Sequence, residues 1–215
     1  MIPGGSALAN FPTSYFLDPD FLVPLPCDAL SSARLPLAAQ CLQFCGTDLV
    51  AICHAYVGTV GHWLPILSPK RLLQDINARD PDDSGLILLL SSLRLLSDAA
   101  YVGPCREYEL AKALSSSAEN KGVVSLRLLQ SLVLLATYEL GHGIYPSSFF
   151  TIGRAARLAM VIGPHDRKAA PQLFKIADTF TLQEEERRTW WAVFILDRYL
   201  FMQHETSIRT LKDSS

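Results

Sequence analysis

The stretch TLQEEERRTWWAVFILDRYLFM, residues Thr181–Met202, decides the fold class because its pattern predicts one long helix. Thr181 and Glu184 have the T-x-x-E spacing of a capping box, in which each side chain satisfies an exposed backbone N–H. Glu184–Glu186 then fall in the predicted first turn, where negative charge interacts favourably with the helix dipole. Glu184 and Arg188 are spaced to form an ion pair one turn apart. We therefore expect the helix to begin at Thr181.

Apolar side chains follow this acidic start at helical spacing, interrupted by one charge pair. They fall on two adjacent stripes: Trp190, Phe194, Asp197 and Phe201, then Trp191, Ile195, Arg198 and Met202. We expect both stripes to be buried, so the Asp197 carboxylate needs a partner. Because consecutive residues point apart on a helix, Arg154 or Arg157 is favoured over Arg198 as that partner. The charge pair is interpreted as a device that fixes helix packing.

The remainder of the chain also shows helical periodicity. A pattern from Ala38 ends near Gly58 to Gly61, and Ser68 followed by Pro69 is a strong helix-start signal. Apolar or amphipathic segments follow at 86–101, 106–118, 123–141 and 147–163, and no segment alternates as a strand does. The sequence predicts an all-α fold, a multi-helix orthogonal or layered bundle.

Proline punctuates the first part of the chain, which predicts an extended lead-in over residues 1–37. Its segment SYFLDPDF is expected to dock aromatic side chains onto the body. Residues 38–203 form the predicted domain, with a looser stretch from Pro164 to Asp178, and residues 204–215 form a predicted tail.

Composition excludes several classes of protein. Hydrophobic residues make up 49% and charged residues 19% of the 215 positions, which predicts a folded chain rather than a disordered one. The net charge of −2 gives no basic field for nucleic acid or anionic lipid. Apolar runs are too short for a bilayer span, and the N-terminus does not resemble a secretory signal. Five unevenly spaced cysteines fit buried, reduced thiols in the cytoplasm or nucleus.

The segment EEERRTWWAVFILDRYL resembles the signature helix of the fungal-specific transcription factor domain. This is the middle homology, or xylanolytic-activator regulatory, domain of fungal zinc-cluster (Zn2Cys6) regulators. The matching positions are Glu186, Arg187, Arg188, Trp190, Trp191, Phe194, Leu196, Asp197 and Arg198. These residues are expected to hold the architecture of the domain.

Two further segments resemble the same family in the same order. YVGTVGHWLPILSPKRL is similar to the start of its domain, and LLQSLVLLATYELGHGIYPSSFFTIGRAARLAMVIG to its central helix pair. The likeness covers roughly residues 50–202. The five cysteines do not match the Cys-x2-Cys-x6-Cys spacing of the zinc cluster, and the family pattern extends beyond the double-tryptophan helix. The chain is therefore interpreted as a C-terminally truncated fragment without its zinc cluster.

The resemblance implies a regulatory domain of a nuclear transcription factor. DNA would be bound only through the missing module, where zinc belongs, and the chain itself is predicted to hold no cofactor or metal. Co-regulator proteins, a small-molecule effector and a homodimer of the full-length form are the partners left open, with no membrane. The alternative is a helical protein-interaction scaffold without a transcriptional role. No catalytic motif is recognised, so no enzyme is predicted.

Three sharper interpretations are weighed against structural ones. Cys41, Cys45 and Cys53 with His54 fit no common zinc spacing and lie in an apolar helical pattern, which favours burial over metal binding. The GHG segment at 141–143 lacks the spacing of a phosphate loop and is expected to end a helix. Trp190 and Trp191 would suit a ligand pocket, but paired tryptophans are more often core residues.

Overall fold

The computed structural model describes residues 37–78, 83–98, 100, 103–163 and 179–213, with side chains to Met202 in the last range. Within these ranges the chain forms eight α-helices, one short 3-10 turn and no strands. The helices are α1 (Ala38–Cys45), α2 (Leu49–Gly58), α3 (Pro69–Asn77), α4 (Ser84–Ser97), α5 (Arg106–Asn120), α6 (Leu126–Gly141), α7 (Ser147–Ile162) and α8 (Phe180–Asp213). The all-α prediction is confirmed.

Helix α6 forms the centre of the bundle and packs against α4, α5, α7 and α8. Its residues 128–139 are all buried, and so are most residues of α4. Helices that are apolar on every side are stable only when other helices surround them. Helices α1 and α2 in turn pack against α4, and α1 also contacts α5.

Several predicted helix ends are confirmed by their capping contacts. The Ser68 hydroxyl accepts a hydrogen bond from the Arg71 N–H, and Pro69 is the first residue of α3. Gly163 ends α7 in the left-handed conformation, at φ 72°. The cap of the buried helix α4 was not predicted: Asp83 accepts from the Leu86 N–H at 2.9 Å.

The single helix predicted from Ala38 to Gly58 is wrong, because the chain breaks at Gly46. Gly46 has φ 76°, a conformation that glycine adopts without a steric penalty. Asp48 then starts α2 by accepting from the Ala51 N–H at 2.9 Å. The apolar pattern continues through the break because α1 and α2 both pack against α4.

Helix α8 begins earlier than predicted. The Thr179 hydroxyl, rather than that of Thr181, accepts from the Leu182 N–H at 3.2 Å, and the helix starts at Phe180. Glu184–Glu186 therefore lie in the second turn, and Thr181 and Glu184 do not form the predicted capping box. The helix continues to Asp213, through most of the segment predicted as a tail.

Buried charges tie the central helices together. The Glu139 carboxylate on α6 is fully buried and accepts from the Tyr108 hydroxyl at 2.8 Å and from Lys112, both on α5. Lys112 also contacts Thr151 on α7. Burial lowers the pKa of Lys112 despite the neighbouring carboxylate.

A second group of charges, which is partly exposed, joins three helices. Arg127 of α6 pairs with Asp75 at the end of α3 and with Asp83 at the start of α4.

Residues 1–36 of the predicted lead-in over residues 1–37, with its SYFLDPDF segment, lie outside the described residues, as does the predicted loose stretch 164–178. None of the helices in the described part of the chain is long and apolar enough to cross a lipid bilayer.

Candidate functional site

A five-residue turn, Leu64–Ser68, precedes α3, and we call it the proline turn. It lies within residues 56–72, the segment that is similar to the start of the family's domain. The Tyr56 hydroxyl of α2 donates to the Leu64 carbonyl at 2.7 Å, and the Gln130 amide of α6 donates to the Ile66 carbonyl at 3.1 Å. A non-helical buried backbone needs such partners, so two helices already fix this turn.

Glu185 of α8 supplies the third attachment of the proline turn. Its carboxylate accepts from the Ser68 backbone N–H at 2.7 Å and from the Arg71 guanidinium at 2.5 Å. Since Ser68 caps α3, the carboxylate lies at the positive end of that helix. Glu185 is only 6% exposed. Burial raises the pKa of its carboxyl group, while the Ser68 N–H and Arg71 act in the opposite direction.

The neighbouring charged residues of the signature helix act mainly along its surface. Arg187 donates to both oxygens of Glu184, at 2.8 and 2.7 Å, and Arg188 donates to Glu184 at 2.7 Å. The predicted pair of Glu184 and Arg188 is therefore present. These hydrogen bonds, led by that of Arg187, lower the pKa of Glu184 to about 2. Arg188 also donates to the Pro65 carbonyl at 3.4 Å and is the fourth residue that contacts the proline turn.

The expected burial of Asp197 is wrong. Its side chain is 30% exposed, and its partner is Arg198, which donates at 3.0 Å. The long arginine side chain reaches back to the adjacent carboxylate although the two residues leave the helix in different directions. Arg154 pairs with Glu119 at 2.8 Å, and Arg157 donates to the Gly153 carbonyl. Neither of these arginines is the partner of Asp197.

The expected burial of the two apolar stripes of α8 is wrong, since the large hydrophobic residues of both stripes except Trp190 are 46–60% exposed. The buried side of the helix comprises mostly smaller residues, Glu185, Thr189, Ala192, Val193 and Leu200. Small residues let α8 approach α6 and α7 closely. Trp190 and Leu196 lie at the edge of this contact and pack against the core, and Glu186 is half-buried. Much of the predicted apolar face therefore points outward.

We call the outward surface of α8 the aromatic face and define it as Trp191, Phe194, Ile195, Arg198 and Met202. Trp191 is 50% exposed and Phe194 46% exposed. Their rings meet edge to face at 5.8 Å, and the Arg198 guanidinium lies 5.9 Å from the Phe194 ring centroid. An exposed apolar surface of this composition is typical of a protein interaction site.

Sequence reasoning missed the residues that hold the proline turn, namely Tyr56, Gln130 and Glu185. Gln130 carries a signal that could have identified it, because it is one polar residue within the apolar stretch LRLLQSLVLL. Buried polar residues need specific partners. Glu185 carries no such signal, since it is the middle one of three consecutive glutamates.

Zinc, which the family implies, does not fit the described cysteines. Cys41, Cys45 and Cys53 are each at most 1% exposed and lie along two helices of the core. Burial raises the pKa of the Cys41 thiol to about 11, whereas zinc binds the thiolate. Over the ranges that the structure describes, no three His, Cys, Asp or Glu side chains are grouped to hold a metal.

The tryptophan pair borders neither of two cavities that lie among the described residues. A cavity of about 10 Å³ lies beside the proline turn, bounded in part by Leu67, Arg71 and Glu185. Such a volume has room for about one water molecule. Neither tryptophan borders this cavity or the larger cleft between α2 and α4.

The signature helix and the proline turn, which lie in two of the segments that resemble the family, are thus attached to each other in a helical fold. The profile of the fungal specific transcription factor domain matches residues 56–215. The chain belongs to this family, and its role is the regulation of transcription. No solved structure matches it.

Curated relatives support the same assignment. A transcription factor of Botryotinia fuckeliana is 35% identical over 138 residues, covering 62% of this chain and 76% of that protein. The depudecin biosynthesis cluster-specific transcription activator of Fusarium langsethiae is 26% identical over 203 residues, covering 84% of this chain and 31% of the activator. The citrinin biosynthesis transcriptional activator of Monascus ruber is 26% identical over 121 residues, covering 56% and 23%. The chain thus spans about three quarters of the first relative but less than a third of the other two.

Proposed function

We propose that this chain is the regulatory domain of a nuclear transcription factor that controls the genes of one biosynthetic cluster. Two of the relatives above are named as transcriptional activators of a biosynthesis, and one of these names is cluster-specific. The family and these relatives argue against an enzyme, and the mechanism we propose is control without catalysis. DNA binding and zinc would belong to a zinc-cluster module of the whole regulator rather than to the residues described above.

The attachment of Glu185 to Ser68 carries the mechanistic part of this proposal. It joins the signature helix to a turn that two other helices also hold, which makes α8 part of a rigid body. The aromatic face then has a fixed position relative to the bundle. A rigid body with an aromatic surface that faces outward suits the restraint or exposure of activating surfaces. The charged groups around Glu185 are engaged in structural hydrogen bonds, so we assign them a role in holding the fold.

Chromatin immunoprecipitation of the tagged gene product, expressed from its own locus, tests this proposal. We expect the protein in the nucleus, with enrichment at the promoters of a group of neighbouring biosynthetic genes. A strain that expresses the tag alone is the control. The alternative, a protein-interaction scaffold without a transcriptional role, predicts no promoter enrichment, and that result would contradict the proposed function.

A further inference from the structure

An open cleft of about 520 Å³ lies between α1, α2 and α4, away from the signature helix. This volume is within the usual range for pockets that bind small molecules. The lining includes an apolar strip on α2, formed by Ala51, Ile52 and Ala55, and a polar rim with Asp48, Ser97 and Asp98.

Fixed contacts hold the walls of the cleft in place. The Arg94 guanidinium of α4 donates to the carbonyls of Phe44 and Cys45 at 2.7 and 2.6 Å, at the end of α1. A side chain at Gly46 would lie 3.2 Å from this guanidinium, so the glycine allows the close approach. The break between α1 and α2 is therefore tied to α4, and the cleft is part of the folded structure.

The polar rim is better suited to hydrogen-bond donors than to anions. Asp48 and Asp98 each accept one backbone N–H, from Ala51 at 2.9 Å and from Ala100 at 3.0 Å. A carboxylate has further lone pairs for a ligand. The Ser97 hydroxyl oxygen is buried and has no partner among the described residues, but because a hydroxyl both donates and accepts it does not select the charge of a ligand.

Charge leads to the same conclusion. Two aspartates and one arginine line the cleft, and one nitrogen of that arginine, Arg94, already contacts two carbonyls. An anionic ligand would meet a net negative rim, whereas an ammonium or hydroxyl group would meet carboxylate oxygens. The apolar strip on α2 would pack against a hydrophobic body.

We propose that this cleft is the effector site of the domain and that it binds an uncharged or cationic small molecule with an apolar ring and hydroxyl or amino groups. The regulatory part of this inference rests on the proposed function, whereas binding itself does not. A ligand held between α2 and α4 stabilises the arrangement in which it fits, and so shifts the balance between states of the regulator.

Binding is tested with the full 215-residue chain, labelled with nitrogen-15 and followed by NMR. Tyramine and 3-(4-hydroxyphenyl)propionate are matched probes, since they share a phenol and differ in the sign of the charge. We expect saturable shifts at residues 45–55 with tyramine, and binding of the acid about tenfold weaker. Equal binding of both probes, tighter binding of the acid, or no shifts with tyramine would overturn the proposal.

A variant that fills the cleft separates specific binding from surface adsorption. Ala55→Trp places an indole against the apolar strip and should abolish the tyramine shifts. His54→Trp adds the same bulk at an exposed neighbouring position outside the cleft and should leave them unchanged. Tyramine shifts that persist in Ala55→Trp would contradict the assignment.

The regulatory part has its own readout. In the source organism, Ala55→Trp should change the transcript levels of the controlled genes, or their response to culture conditions, whereas His54→Trp should not. If tyramine binds but the Ala55→Trp strain has unchanged transcripts, the effector role is wrong and the binding site stands. If the gene product shows no promoter enrichment at all, the proposed function fails independently of the binding result.

Discussion

The Glu185 carboxylate accepts a hydrogen bond of 2.7 Å from the backbone N–H of Ser68, a residue 117 positions earlier in the chain. This contact joins two of the segments that resemble the family, the signature helix and the segment that contains the proline turn. It also places a negative charge at the start of α3, where the helix dipole favours it. Glu185 thus stabilises a helix to which it does not belong.

Replacing Glu185 with alanine should destabilise the fold strongly. The change leaves the Ser68 N–H without its acceptor and the Arg71 guanidinium without its carboxylate, which should lower the free energy of unfolding by about 3 kcal/mol. Urea denaturation followed by circular dichroism measures this loss. Glu185→Gln keeps an acceptor for Ser68 and should lose less.

The matched control for this prediction is Glu184→Ala, one position earlier. Glu184 contacts arginines on the surface of its own helix, and solvent screens those pairs. We expect a much smaller loss than for Glu185→Ala. Equal losses for the two alanine variants would show that the attachment to the proline turn adds no stability.

Asp197→Ala should have little effect on stability. A buried, paired carboxylate would cost about 3 kcal/mol on removal, but a partly exposed pair such as Asp197 and Arg198 contributes less than about 1 kcal/mol. Arg198→Ala should give a similarly small change in the same urea titration. A loss above about 2 kcal/mol for Asp197→Ala would mean that the carboxylate has a buried partner after all.

Truncating a side chain on the buried side of α8 should cost much more stability than truncating one on its exposed side. Leu200 is 4% exposed, and Leu200→Ala should cost about 3 kcal/mol because it leaves a cavity in the core. Trp191 is half-exposed, and Trp191→Ala should cost about 1 kcal/mol or less despite the larger side chain. Thermal unfolding of both variants measures the difference. The reverse order would contradict the orientation of the helix.

The Tyr56 hydroxyl predicts a loss of stability in alkali. Burial raises the pKa of Tyr56 to about 12 from 10.0 in the unfolded chain. Between these two pKa values the folded protein retains the hydroxyl proton, whereas the unfolded chain loses it. The contribution of protonated Tyr56 to the free energy of unfolding is therefore complete below pH 10 and is lost as the pH rises through about 12.

Tyr56→Phe checks this contribution. The variant should lose about 1 kcal/mol at neutral pH, because the buried Leu64 carbonyl loses its donor. Its stability should then decline less steeply than that of the wild type above pH 10, as measured by urea denaturation at a series of pH values. An unchanged alkaline slope would show that Tyr56 does not hold the proline turn.

Local signals predicted most of the fold. Ser68 with Pro69 and the glycine at 163 mark helix ends through contacts within a few residues, and the structure has both ends. Gly46 was missed because the apolar periodicity of its neighbours continues on both sides of it. A break of this kind depends on the approach of Arg94 from another helix, which no local pattern reveals.

The orientation of α8 could not be predicted, because apolar residues occur on nearly every side of it. Its buried side is set by small residues such as Ala192 that fit against α6 and α7, whereas large residues such as Trp191 remain outside. The role of Glu185 could not be predicted either, because nothing in the sequence distinguishes it from the glutamates on both sides of it. Both features depend on what the rest of the fold presents to the helix.

RNA sequencing of a strain in which the gene is deleted, beside one in which it is restored, tests the central claim most directly. The claim is that this chain is the regulatory domain of a transcription factor. We predict that transcripts of a group of neighbouring biosynthetic genes change together on deletion and return on restoration. Unchanged transcripts across the genome, under conditions in which the parental strain expresses the protein, would contradict the account.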